Sequence, residues 1–135
     1  MRVRCIRDQP DGEALRRMGR AFFDGRGSPL TVGRDYLVYG IAFHNGGVWF
    51  HVLNATGSWL FDAPIELFEV LDPRVSRHWR LGQRDDRVLL YPELLLGDYL
   101  HDDLSEGVPD VVRRVRELTT VMEAEMAEPS GEPQG

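Results

Sequence analysis

Four histidines, one cysteine and a scatter of carboxylates are the residues of this chain suited to catalysis or metal binding. The histidines stand at 44, 51, 78 and 101. No two are spaced i,i+4 on a helical stretch, and Cys5 has no second cysteine to join it, so the spacing supplies no metal site. His44 and His51 fall on one face of a hairpin without standing opposite each other. Cys5, beside Val3 and Ile6, has the setting of a small core residue rather than of a nucleophile. The serines at 28, 58, 76, 105 and 130 all fall near turns, and there is no Gly-x-Ser-x-Gly elbow. His101-Asp102-Asp103 has the composition of an acid–base cluster. Neither a nucleophile nor a phosphate loop accompanies it, so it reads as a solvated turn. Gly25-Arg26-Gly27 lacks a following helix, and Gly46-Gly47 belongs to a hairpin turn, so no glycine loop cradles a phosphate. These patterns point to no catalytic residue, no metal and no cofactor.

The elements that carry these residues follow from periodicity. Alternation over residues 2–7 predicts a short edge strand. Asp11 is placed to cap a helix reaching about Phe23. Leu15, Met18, Phe22 and Phe23 lie on one side of it, and Arg16, Arg17 and Arg20 mostly on the other. Residues 36–43 and 48–53 read as strands joined at Asn45-Gly46-Gly47, the strongest short hairpin signal in the chain. With the turn at Asn45-Gly46, Phe43 faces Val48 and Ile41 faces Phe50, which makes this the core side. Trp49 and His51, and with them Tyr36, then face outwards. A third strand over 59–61 and a fourth over 65–71 follow the turn at 54–57. Residues 74–87 read as basic and irregular, 88–91 as a strand, 92–100 as a short helix or loop, and 101–107 as a polar turn. The clearest helix runs from Pro109 to about Ala127, with Pro109 suited to its first turn. Val111, Val112, Val115, Leu118, Met122 and Met126 form its apolar stripe. Residues 128–135 read as a frayed tail, leaving one α+β domain over 1–127.

The segment from Leu30-Thr31-Val32-Gly33 through the hairpin to Gly57-Ser58-Trp59-Leu60-Phe61, Pro64 and Leu67-Phe68-Glu69-Val70 resembles SH3-like small barrels. The resemblance covers residues 30–72, about a third of the chain. It implies a small, strongly bent antiparallel sheet, an SH3-like partial barrel; with the N-terminal and C-terminal amphipathic helices read from periodicity, the expected fold is α+β. The acidic loop and paired aromatics of a peptide-binding SH3 groove are not in the sequence, so proline-rich ligands do not carry over.

Charge and composition narrow the function. The chain has 135 residues and a net charge of −6, and all 16 basic residues are arginine. A GC-rich genome would favour arginine codons in this way, and the lack of lysine excludes Schiff-base chemistry. The basic stretches at 1–34 and 74–92 alternate with acidic ones at 35–73 and 93–135, which predicts pairing inside the fold. The acidic balance speaks against general phosphate binding. No apolar run is long enough to span a bilayer and no signal peptide is evident, so the expected location is cytoplasmic, away from membranes. The favoured reading is a non-catalytic protein-binding domain, in concrete form an immunity- or antitoxin-type inhibitor, with Tyr36, Trp49, His51, Arg16, Arg17 and Arg20 at its partner surface and a homodimer open. The alternative is a small enzyme or ligand binder with a pocket between helix and sheet, where His51, Trp49, Tyr36 and His101 are the residues to inspect. A third is nucleic-acid binding through Arg74, Arg77, Arg80, Arg84 and Arg87, with Trp79 for stacking.

Overall fold

The computed structural model describes residues 1–8, 29–44 and 46–129. Val3 and Cys5 point inwards and Arg4 outwards along β1 (Arg2–Cys5). This strand lies between β2 (Asp35–Leu37) and β6 (Phe68–Asp72) in a three-stranded antiparallel sheet. A second antiparallel sheet is built from β3 (Gly40–His44), β4 (Gly47–Leu53), β5 (Leu60–Pro64), β7 (Trp79–Arg84) and β8 (Arg87–Pro92). Its order is β5-β4-β3-β8-β7. Two helices follow among the described residues, α1 (Leu100–Ser105) and the long α2 (Pro109–Ala127). The fold is therefore α+β: two antiparallel sheets and one long helix.

The hairpin has the register of a two-residue turn, with Phe43 opposite Val48 and Ile41 opposite Phe50. Gly46 sits at φ 68°, where a side chain would be strained. Asn45 lies outside the described residues. The strand expected over 36–43 is instead two strands in different sheets. The chain crosses between them at Val38 and Tyr39, both buried, where the Tyr39 amide bonds the His51 carbonyl at 2.8 Å. The strands of residues 30–72 are thus shared between two sheets and pair with β1 and β8 from outside that segment. They do not form a barrel unit of their own.

Two other expectations change. Residues 79–84 are a strand, not irregular. As the edge of the five-stranded sheet, β7 buries little beyond Trp79, so its sequence shows no alternation of buried and exposed residues. Residues 101–105 are helical rather than a turn, because Leu100 and Leu104, one helical turn apart, are both buried. The helix expected over 11–23 and residues 130–135 of the expected tail lie outside the described residues.

On one face of the five-stranded sheet Phe50 meets Phe68 of the other sheet, with ring centroids 5.8 Å apart, while Phe43, Leu81 and Val88 of that face are exposed. On the opposite face Ala42, Trp49 and His51 are buried, His51 against His101 from the segment that follows β8. Helix α2 buries Val115 and Met122, and Thr119 bonds the Tyr39 hydroxyl at 2.7 Å. The predicted pairing of basic and acidic stretches is present at the end of α2. Arg74 donates to the Met126 carbonyl at 2.8 Å and the Glu128 carbonyl at 2.6 Å, while holding Asp72. The Arg77 amide donates to the buried Glu125 carboxylate at 2.9 Å. No helix among the described residues is long and apolar enough to cross a membrane.

Candidate functional site

One cross-strand row of the five-stranded sheet carries most of the polar chemistry of the interior. Asp62 on β5 stands opposite His51 on β4, and His51 stands opposite Gly40 on β3. The pairing of Ile41 with Leu90 places Tyr91 of β8 next to Gly40 in the same row. Residues directly opposite in an antiparallel pair share a face, so Asp62, His51 and Tyr91 are neighbours by register alone. Gly40 completes the row by having no side chain. A Cβ there would lie 2.2 Å from Tyr91 Cδ1 and 2.7 Å from the Leu90 carbonyl oxygen. The Tyr91 ring fills that gap and stacks on His51, with centroids 4.7 Å apart.

The row is closed by hydrogen bonds. His51 Nδ1 lies 2.8 Å from Asp62 Oδ1, and the Tyr91 hydroxyl donates to the same oxygen at 2.8 Å. From above, α1 brings His101 so that its Nε2 lies 2.8 Å from His51 Nε2. An ionised Asp62 only accepts, so it fixes a proton on His51 Nδ1. With His51 neutral, its Nε2 then accepts from the Nε2–H of His101, and His101 Nδ1 is left as a bare acceptor. That nitrogen has no hydrogen-bond partner among the described residues.

The electrostatics fit this assignment. Burial pushes the Asp62 carboxyl up, but the bond from His51, the charge of a protonated His51 and the Tyr91 hydroxyl together outweigh it and hold the group below its usual value. Burial, with Asp62 beside it, raises the Tyr91 phenol far above the ordinary range, so it stays a donor. Burial first, and then the charge on His51, lower His101 to about 4. A cavity of about 280 Å³ opens beside the row, lined among others by Trp59, Arg84, Arg87, Leu95 and His101. Among the described residues no group of three His, Cys, Asp or Glu side chains is arranged to hold a metal ion.

The residues expected at a partner surface are dispersed. Trp49 is 5% exposed, stacks on His44 at 4.8 Å and donates its indole N–H to the His44 carbonyl. Tyr36 is buried in the other sheet, where its hydroxyl accepts from the Thr31 amide at 2.9 Å. His51 is 4% exposed. These three buried side chains therefore form no outward face. Arg16, Arg17 and Arg20 lie outside the described residues. Trp79 is buried and donates to the Tyr39 carbonyl at 2.8 Å, so it offers no ring for stacking, and Arg74 and Arg77 are held by α2. Cys5 is buried, its thiol within 3.1 Å of the Arg7 carbonyl and pushed up by burial.

Of the residues suggested for a pocket, His51 and His101 do meet. Asp62 and Tyr91 were missed. One signal was present in the sequence: Asp62 is the single carboxylate in the otherwise apolar run Leu60-Phe61-Asp62-Ala63, and a lone charge in such a strand calls for a buried partner. No protein-family model, no curated protein and no solved structure matches the chain.

Proposed function

We propose that this domain binds a small polar ligand in the cavity beside His51 and uses the His51–His101 pair to accept or return a proton. The observation that carries this reading is the chain of contacts Tyr91–Asp62–His51–His101 ending at a residue that lines the cavity. A proton taken by His101 Nδ1 is offset by passage of the Nε2 proton to His51. The positive charge then rests on His51 beside the Asp62 carboxylate, and His101 stays neutral. This is the arrangement of a general base oriented and stabilised by a third group. The low basicity of His101 agrees with charge residing on its partner.

Imidazole 15N NMR against pH tests this directly. A shared site shows both rings responding to one titration, with Asp62→Asn changing the response of His101, which Asp62 does not contact. Independent titration of the two rings would remove the reading.

A second reading, the protein-binding domain, has an observation of its own. On the other face of the five-stranded sheet, next to its edge strand β7, Leu81 is 74% exposed and Val88 and Phe43 are exposed beside it. Apolar side chains gathered at a strand edge suit a partner protein, whether an inhibited toxin or another target. Light scattering and capture experiments with Leu81→Asp test it: a single stoichiometric partner lost in this variant supports it. The likeness of residues 30–72 to an SH3-like barrel contributes nothing to either reading, since fold does not fix function.

A further inference from the structure

The cavity beside His51 has an uneven lining. Its one carboxylate, Asp62, is used by His51 and Tyr91. Its cations are Arg84 and Arg87. Arg84 is engaged with the Leu96 carbonyl at 2.9 Å and Asp98 at 3.3 Å. The Arg87 side chain forms no ion pair or hydrogen bond with the described residues, although Asp85 and Asp86 stand in the adjoining turn; its backbone stands opposite Arg84 in the β7–β8 ladder. Its charge reaches into the site, acting on both Tyr91 and His44. Across the cavity, Trp59 and Phe61 form a ring pair with centroids 4.7 Å apart, and Trp59 is 39% exposed.

We infer that the ligand of this cavity carries an anionic group, a phosphate or carboxylate, received by Arg87 at the mouth, and an aromatic or flat apolar body laid against Trp59. The inference rests on the cavity being the ligand site proposed above. Guanidinium groups match both oxyanions in shape, and the Arg87 side chain gives up no bond to the described residues when it takes one. A volume of about 280 Å³ suits a single-ring compound. The anion would then sit close to the His51–His101 pair.

The test is a titration of the whole protein with benzoate, phenyl phosphate and neutral benzyl alcohol, read by Trp59 indole and Arg87 side-chain NMR signals. The expected result is saturable binding of one or both anions, with phenyl phosphate against benzoate telling phosphate from carboxylate. Benzyl alcohol should bind at least about ten-fold more weakly, and Arg87→Gln should remove about ten-fold of the anion affinity. Arg80→Gln, an exposed arginine of the same sheet outside the cavity lining, should leave it unchanged. Equal binding of benzyl alcohol, no effect of Arg87→Gln, or no binding of any probe would overturn the inference. The imidazole titration separates the two ideas. If the histidines titrate together and no anion binds, the anion inference alone falls; if they titrate independently, the proton-sharing reading falls even where benzoate binds.

Discussion

Asp62 holds two buried donors on one oxygen, and the cost of its loss follows from that. Asp62→Ala leaves the His51 Nδ1–H and the Tyr91 hydroxyl without an acceptor, and an unpaired buried polar group costs about 1–3 kcal/mol. Urea denaturation should show a loss in that range or above it, and Tyr91→Phe, which removes only one bond, a loss of about 1 kcal/mol. The pH dependence has a definite sign. His101 falls from an ordinary 6.5 to about 4 in the fold. Between those values the unfolded chain binds the proton and the folded one does not. Its contribution is therefore complete above pH 6.5, declines as pH falls, and is gone below about 4. His51, Asp62, Arg84 and Asp102 all act on this ring, so the decline belongs to the cluster rather than to one residue. Below the usual carboxylate range the protonation of Asp62, whose value is depressed, adds to the loss. Thermal melts from pH 7 to 4 should track this fall in wild type, and His101→Gln should flatten the upper part of it.

Elements decide how much of the site could be read from sequence. The Asn45-Gly46 motif in the sequence predicts the β3–β4 register that the strands adopt, and that register already places Gly40 opposite His51. The rest of the row depends on β4 meeting β5 and β3 meeting β8. The latter is a pairing between strands more than forty residues apart with no local signal. His101 was legible as a chemically able residue but not as a neighbour, because its helix was hidden in a polar run where only Leu100 and Leu104 mark the buried side. The burial of Trp49 was missed for a related reason. Alternation shows which residues share a face and is silent on what covers it. The element carrying His101 begins under strain: Tyr99, 77% exposed, adopts φ 64° at the start of α1. A left-handed conformation costs a non-glycine residue about 1 kcal/mol, so Tyr99→Gly should raise stability by up to that amount in denaturant titrations. Loss of stability instead would mean that the exposed ring makes a contact of its own.

At the scale of the whole molecule, the two sheets and α2 share one hydrophobic core, and a set of polar bonds around Arg74 joins them at its edge. It links Asp72 at the end of β6 to the last turn of α2, whose carbonyls lack partners within the helix. Asp72 is held at about 2 chiefly by its bond to Arg74. Arg74→Ala should free the C-terminal turns of α2, seen as faster amide exchange over residues 122–128 with the five-stranded sheet unchanged. Uniform acceleration across the protein would show that this tie supports the whole fold instead. The tyrosine seated over Gly40 bears on assembly in a different way. Slid by two residues along β3, the β7–β8 hairpin would bring the Tyr91 ring over Ala42, whose methyl group occupies the space the ring needs. Gly40 thus works as a keyhole. The slid alignment is closed to the β7–β8 hairpin, and the one that seats Tyr91 over Gly40 also brings its phenol to the carboxylate and imidazole already paired on β5 and β4.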